Sequence, residues 1–415
     1  MDSMTKQEIV YLRELAKKQR EYAGLPVMEE RKKLWYAHNA LRHVRPMVVV
    51  EEITFQEEIL PKPVCGTKLG RELEHAMLMA IVNHEQIGDD KVTPDSVALP
   101  AVVEFRELDH DWKEIRARDE SVAMVYEHLV ETLADDFHKI KPSVYTFDEA
   151  YNRMRWDMAQ EAIGDILPIH RTNPVQLEWD LSPGYRTIRL MGMENMMVDM
   201  AADPDSVKKL MRFLTEDMER YLDWLEARGL LAMNNGNDYI GAGSYGFTEE
   251  LRQEGELVTT RNLWGNLNSE ECSSISPAMF GELMYPYCER LASRFGLVYY
   301  GCCEPMEEVW EPYISRLPNL RSVSVSSWCR EEYMGEALRG KPVIYSRKPH
   351  PNLLGGDPVL DEEGLARYIR ATLDAAKGCE IEFLFRDVYT LRGHLEKPAR
   401  AVALTREMID RYYQP

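Results

Sequence analysis

Residues 295–305 read FGLVYYGCCEP, and the fold turns on how that stretch is parsed. Phe295–Tyr300 is a short apolar run of the size and residue type that suits a buried strand. It stops at Gly301, and Cys302, Cys303, Glu304 and Pro305 lead into the next segment. A strand that ends in thiols and a carboxylate, just ahead of a helix, suits an α/β protein that keeps its chemistry at the carboxyl ends of parallel strands.

Working outward, the same pattern recurs. PMVVVEEI (46–53), TIRLMG (187–192), GLLAMNN (229–235), NLWGNLNSE (262–270), LVYYGCC (297–303), LRSVSVSSWC (320–329), KPVIYSRKPHP (341–351) and IEFLFRD (381–387) are eight strand candidates. Helical patterns fall after them. Asp203-Pro204 is a cap and first-turn pair for a helix to about 228, and Ser276-Pro277 opens another over 277–294. Helices are also expected over 70–83, 305–314, 330–339, 361–377 and 396–412, and after a capping box of Thr146 with Glu149. Eight strand–helix units predict a parallel sheet closed into a (β/α)8 TIM barrel. Residues 1–44 form an N-terminal helical extension, and 45–415 form the barrel with a long irregular insertion at about 54–185.

The chain has 415 residues, 45% hydrophobic and 29% charged, enough for a sizeable core in one large α/β domain or two smaller ones. Its net charge of −20 excludes nucleic acid as the main partner, because phosphate binding needs clustered Lys and Arg. The charged N-terminal stretch has no apolar signal core, and no run of 18 apolar residues occurs, so a cytoplasmic protein without a membrane span is expected. The seven cysteines are odd in number and scattered, so thiols are expected rather than disulfides. The methionines at 191, 193, 196, 197 and 200 read as core filling. His84 with Asp89 and Asp90 reads as a solvated loop.

On a barrel the strand ends converge. They carry Glu51/Glu52, Asn234/Asn235, Asn268/Glu270/Glu271, Cys302/Cys303/Glu304, Trp328/Cys329, Arg347/Lys348/His350 and Arg386/Asp387. Cys302 and Cys303 are either zinc ligands or two thiols packed as small hydrophobes. Glu271 and Asp387 either complete that site or serve as a helix cap and an ion-pair partner. Cys329 is a weaker candidate. His350, fixed between two prolines, is an acid/base or a satisfied loop histidine. Arg347 and Lys348 hold a substrate anion or form rim salt bridges. The glycine-rich loop 241–246 lets backbone approach a ligand or makes turns, and it lacks the phosphate-loop pattern.

Several segments together resemble the uroporphyrinogen decarboxylase superfamily: RPMVVVEE, the run MGMENMMVDMAADPDSVKKLMRFLTEDMERYLDWLEARG, SISPAMFGELMYPYCERLASRFG, the YYGCCEP turn, and CEIEFLFRDVYTL. The resemblance implies a barrel and one of two activities: porphyrinogen decarboxylation without a cofactor, or zinc-dependent methyl transfer involving a corrinoid protein. The decarboxylases carry an arginine-rich segment after the first strand. Here that place reads EEITFQEE, whose Glu51, Glu52, Glu57 and Glu58 would repel a polycarboxylate. The methyltransferase branch, associated with anaerobic methyl metabolism, carries an HxC pair and a late cysteine. Here YGCCE stands in the HxC region, and Asp387 or Val388 at the late position.

The resemblance therefore implies a methyltransferase taking a methyl group from a small methylated substrate, such as a methoxyaromatic whose ether it demethylates. Cys302, Cys303, Glu271 and Asp387 would hold zinc, His350 or Glu304 would act as acid, and Lys348 would join them. Glu51, Asn235 and Arg347 would bind substrate within walls of Trp264, Tyr300 and Trp328. The chain has no DxHxxG motif, so the corrinoid would arrive on a separate protein docked over the barrel mouth. A second copy of the chain, as a homodimer, is also entertained as a partner. Two other readings stay open: a decarboxylase or lyase of a small carboxylic acid using Arg45, Arg347 or Lys348 as a clamp, and a non-catalytic ligand-binding barrel.

Overall fold

A computed structural model describes residues 3–116, 124–174, 181–253 and 255–413, with the side chains of 114–116 and 124–125 excepted. The parts of the irregular 54–185 stretch at 117–123 and 175–180 lie outside these residues. Eight strands run parallel to a neighbour: β1 Met47–Val50, β2 Val97–Pro100, β3 Ile169–Thr172, β4 Trp264–Leu267, β5 Leu297–Tyr300, β6 Leu320–Val325, β7 Ile344–Arg347 and β8 Glu380–Phe385. Six form one parallel sheet in the order β1-β8-β7-β6-β5-β4, and β2 pairs with β3. The architecture is thus α/β around a parallel sheet, and its ladder does not close into a barrel among the described residues.

Side chains span the two gaps in the ladder. Beside β1, the Asp90 and Asp89 carboxylates accept the Val48 and Val50 N–H, each at 2.8 Å. Between β3 and β4 lies the stretch 229–235, expected as a strand but carrying no strand pairing. Its place in the ladder is taken by asparagine amides. Asn173 donates to the Ala232 carbonyl and accepts the Ala232 N–H, both at 2.9 Å. Asn234 does the same for Trp264, at 3.0 and 2.9 Å. Asn234→Ala strands two backbone groups, and is expected to lower stability by about 2–3 kcal/mol in urea unfolding.

TIRLMG is helix rather than strand. It lies within Pro183–Ala202, which Ser182 caps by accepting the Tyr185 N–H, with Pro183 in the first turn. Gly192, at φ +78°, kinks the helix. The expected Thr146 cap is displaced: Asp148 caps Glu149–Ile163, while Thr146 ends a short strand paired with Glu104–Arg106. Pro204–Ala227 follows the expected Asp203 cap, and buries Val207, Leu210, Met211, Leu214, Met218, Leu222 and Leu225 on one face. Asp89 and Asp90 are fully buried rather than solvated. Among the clustered methionines 191, 196 and 200 are buried, whereas Met193 is exposed. No helix of the described residues is long and apolar enough to cross a membrane.

Strand residues alternate between two environments, as period-two geometry requires. Val48, Val50, Val298, Tyr300, Val323, Val325, Tyr345, Ile381, Phe383 and Phe385 face the large core shared with the helices. The other set faces inward. Met47, Val49 and Leu384 pack with Trp35 and Phe247, and Trp264, Leu297 and Tyr299 pack with Ile240 and Ala242. The glycine-rich loop is a hairpin, Tyr239–Gly241 paired with Ser244–Tyr245, laid against this inner face. Its glycines are there for contact. A Cβ at Gly241, φ +121°, would strike the Asn266 amide at 2.3 Å, and one at Gly246 would strike the Asn234 carbonyl at 2.0 Å.

Candidate functional site

The inward set ends at the carboxyl edge of the sheet in reactive side chains. Gly301 adopts φ +97°, and a Cβ there would come 2.3 Å from Met306 Cε, so only glycine lets β5 turn this sharply. After it, the Cys302 N–H donates to Glu304 Oε2 at 2.7 Å, and the Cys302 carbonyl accepts the Ser324 hydroxyl at 2.6 Å. The backbone is fixed, and the two half-buried thiols project side by side with their Sγ atoms 3.5 Å apart.

Two carboxylates join them. Glu270, just beyond β4, brings an oxygen within 4.8 Å of both sulfurs. Asp387, just beyond β8, places Oδ2 3.7 Å from Cys303 Sγ. Asp387 adopts φ +58°, a left-handed conformation uncommon outside glycine and held here at a candidate site. Arg386 Nε lies 3.3 Å from Asp387 and 3.4 Å from Glu51, and Glu51 in turn accepts the Tyr239 hydroxyl at 2.7 Å. The Cys303 thiol beside it, together with burial, pushes the Cys302 thiol well above the usual thiol range. The two thiols and the Glu270 carboxylate, mutually within 4.8 Å, are a donor set that suits zinc, with Asp387 beside Cys303.

Behind the cysteines lies a polar network. Lys348 is 4% exposed and hydrogen-bonds the Tyr299 hydroxyl, and its ammonium donates to Ser346 Oγ at 2.9 Å. Burial pulls the Lys348 pKa down to about 8, while Glu382 acts against the drop. Glu382 accepts the Ser244 hydroxyl at 2.9 Å and faces His38 Nε2 at 3.5 Å, and Glu380 meets His38 Nδ1 at 3.2 Å. Burial alone would lower the His38 pKa, but the two carboxylates overcome it and raise it to about 9.

The other expected residues lie as follows. Glu304 is buried, and its carboxylate accepts the Ser269 and Cys302 N–H, pinning two strand ends together rather than facing outward as an acid. Glu271 points away from the thiols toward the start of helix Pro183–Ala202: a Cβ at Gly184 would lie 2.8 Å from its Oε2. Burial pushes the Glu271 pKa up to about 8. Arg347 is on the outward face, bonded to the Val325 and Ser326 carbonyls, Glu331 and Tyr368. Tyr300 also faces outward, into the helical core beside Ser269.

His350 Nδ1 accepts the Asn352 N–H, and its ring meets the exposed Trp328 edge-on at 5.9 Å. Asn235 donates to the Leu251 carbonyl. Cys329 is buried, with its thiol toward the Glu304 carbonyl. Trp264 does wall an inner cavity of about 470 Å³, and Glu51 lines a neighbouring one of about 500 Å³. Sequence reading placed Glu270 at a strand end but gave the ligand role to Glu271, and it passed over Tyr299 and Tyr239. The signal for the first two was parity: residues 297 and 299 share the inner face with Trp264, and Glu270 is the acid of its pair that faces the thiols.

No protein-family model and no curated protein matches the chain. Among solved structures it is similar to a methyltransferase from Methanosarcina mazei, with a TM-score of 0.51 and 14% identity, over 92% of this chain and 98% of that one. At that identity the likeness is one of fold.

Proposed function

We propose that this protein is a methyltransferase of the uroporphyrinogen decarboxylase superfamily, built on an interrupted (β/α)8 barrel. It moves a methyl group from a small methylated substrate, such as a methoxyaromatic, to a corrinoid carried by a separate protein. The observation that carries the reading is the thiol pair at the carboxyl edge of a parallel sheet, with Asp387 and Glu270 beside it. Similarity of fold to a methyltransferase supports it.

Cys302, Cys303, Asp387 and Glu270 would hold a zinc ion. When bound, zinc would supply Lewis acidity at the substrate's end of the sheet. The remaining work falls to side chains of this chain. Arg386 orients Asp387 and neutralises Glu51. Lys348, held by Tyr299 and Ser346, has a pKa near working pH and is the proton donor for the leaving oxygen. The corrinoid protein docks over the carboxyl ends of the strands, where the thiols open to solvent.

The decarboxylase reading needs a free carboxylate clamp. Arg45 is committed to Asp90 through two bonds of 2.8 Å and Arg347 is turned outward, so of the three clamps only Lys348 is left, itself bonded to Tyr299 and Ser346. That reading is left with less support.

Elemental analysis of the purified protein is expected to find roughly one zinc per chain. The Cys302→Ser/Cys303→Ser double variant is expected to have lost it. Zinc that is absent from the parent, or unchanged in the variant, rules the metal site out.

A further inference from the structure

We propose that the arginine-lined cavity on the outer face of β2 and β3 is a binding site for a small phosphate monoester with an aromatic or apolar body. None of Cys302, Cys303, Glu270 and Asp387 lines it, so the assignment does not depend on the metal site.

Strand register and helix ends bring the arginines together. Leu99 and Arg171 are partners across β2 and β3, and Ile169 lies two residues before Arg171, so the three share a face. Leu99 and Ile169 pack with Ala159, Ala162 and Ile163 of helix Glu149–Ile163, so that face looks outward to the helices. Arg171 reaches beyond this packing, and its Nη2 donates to the Gly229 carbonyl at 2.7 Å. The bond seats the guanidinium at the end of helix Pro204–Ala227, where Arg228 is the residue next to Gly229. The Arg228 guanidinium is held over the Trp224 ring, 5.0 Å from its centroid. From the other side, helix Glu149–Ile163 adds Arg153 and Arg155. Its Asn152 amide is tied to the Val102 backbone by bonds of 2.8 and 2.9 Å, which fixes this end of the helix against the chain leaving β2.

The head group follows from the charges left over. Four arginines and a single acid, Glu149, line the cavity, in a chain whose net charge is −20. Arg153 pairs with Glu149 at 2.7 Å, and the buried Arg155 pairs with Glu72 at 2.5 Å. Arg171 and Arg228 have no acidic partner among the described residues, and both are exposed where they line the cavity. A guanidinium carries five N–H donors in a planar fork, so the bond to Gly229 leaves most of those of Arg171 unspent. Two uncompensated charges, anchored at neighbouring backbone positions, suit one compact dianion. A phosphate monoester carries about −1.5 to −2 at neutral pH on three acceptor oxygens, whereas a carboxylate brings one charge.

The rest of the ligand is set by size and lining. A volume of about 460 Å³ falls in the range of small-molecule pockets and far exceeds a bare phosphate. Phe147, Trp156, Leu99 and Leu230 supply aromatic and apolar wall.

The test is titration calorimetry of the full chain with phenyl phosphate, using inorganic phosphate as the head group alone, phenol as the body alone and phenylmalonate as a dicarboxylate of the same body. Saturable binding of phenyl phosphate is expected, with binding of phosphate and phenylmalonate at least about tenfold weaker and none of phenol. The Arg171→Gln/Arg228→Gln double variant is expected to bind phenyl phosphate at least about tenfold more weakly. The ligand series on the unaltered protein stands whether or not that variant folds. Cys302→Ser/Cys303→Ser is expected to bind as the parent does, so the phosphate site and the metal site fail separately. The assignment is overturned by no binding at about 10 mM phenyl phosphate, by phenylmalonate binding as tightly, or by a folded arginine double variant that binds unchanged. Loss of binding in the cysteine variant would move the phosphate to the thiols, and tighter binding of a polyglutamate peptide would give the arginines to an acidic protein segment; either also overturns it.

Discussion

Glu382→Gln is expected to destabilise the protein by about 3–5 kcal/mol, the usual cost of removing one partner from a buried charge network. Glu382 is fully buried and is the carboxylate between His38 and Lys348. Without it, Lys348 loses its main counter-charge, and His38 keeps only Glu380. Urea unfolding near pH 7 would show the loss directly. The same network sets a pH dependence. His38 titrates near 9 when folded and near 6.5 when unfolded, so its contribution is complete below about pH 6.5 and lost as pH rises through 9. That amounts to about 3 kcal/mol in all. Lys348 works in the opposite sense: its folded pKa of about 8 lies below its ordinary 10.5, so stability gains with pH between those values. The net expectation is a decline from about pH 6.5 to 8 that flattens above 8. His38→Gln should abolish the decline; a parent protein flat from pH 6.5 to 8 would refute the assignment.

The second large effect concerns catalysis. If methyl transfer from a methoxyaromatic such as guaiacol to cob(I)alamin is followed by absorbance, Lys348→Met is expected to lower kcat by about 10²–10⁴-fold, the range for loss of a positioned general acid. Zinc content should stay the same, because the Lys348 ammonium is bonded to Tyr299 and Ser346. The parent's kcat should fall as pH rises through about 8, where Lys348 loses its proton. A variant with undiminished kcat would remove Lys348 from the reaction and leave the metal question untouched.

Six strands could be read from their apolar runs, because parallel strands buried on both faces carry little else. Two further candidates are not strands, for different reasons. TIRLMG alternates well enough to pass for a strand, but the Ser182-Pro183 start upstream is a helix signal that outranks it. GLLAMNN sits where a strand was expected, yet its backbone meets Asn173 and Asn234 side chains instead of a neighbouring ladder. β2 and β3 were hidden in the irregular insertion, being short and partly polar. At the site, the cysteine pair was legible because two adjacent thiols at a strand end are unusual. The choice between Tyr299 and Tyr300, between Arg347 and Lys348, and between Glu270 and Glu271 was not. Each is a question of one-residue parity, and a slip of one turns every side chain to the other face.

The hairpin at 239–245 has a wider meaning than its size suggests. One edge leans on Asn266 and walls the inner cavity beside Trp264. The other reaches Glu51 through Tyr239 and Glu382 through Ser244, the carboxylates that balance Arg386 and Lys348. A few residues are therefore a party wall between two chambers. Any occupant that shoves the wall from one side tugs the hydrogen bonds on the other, so substitutions along it should register in both compartments at once.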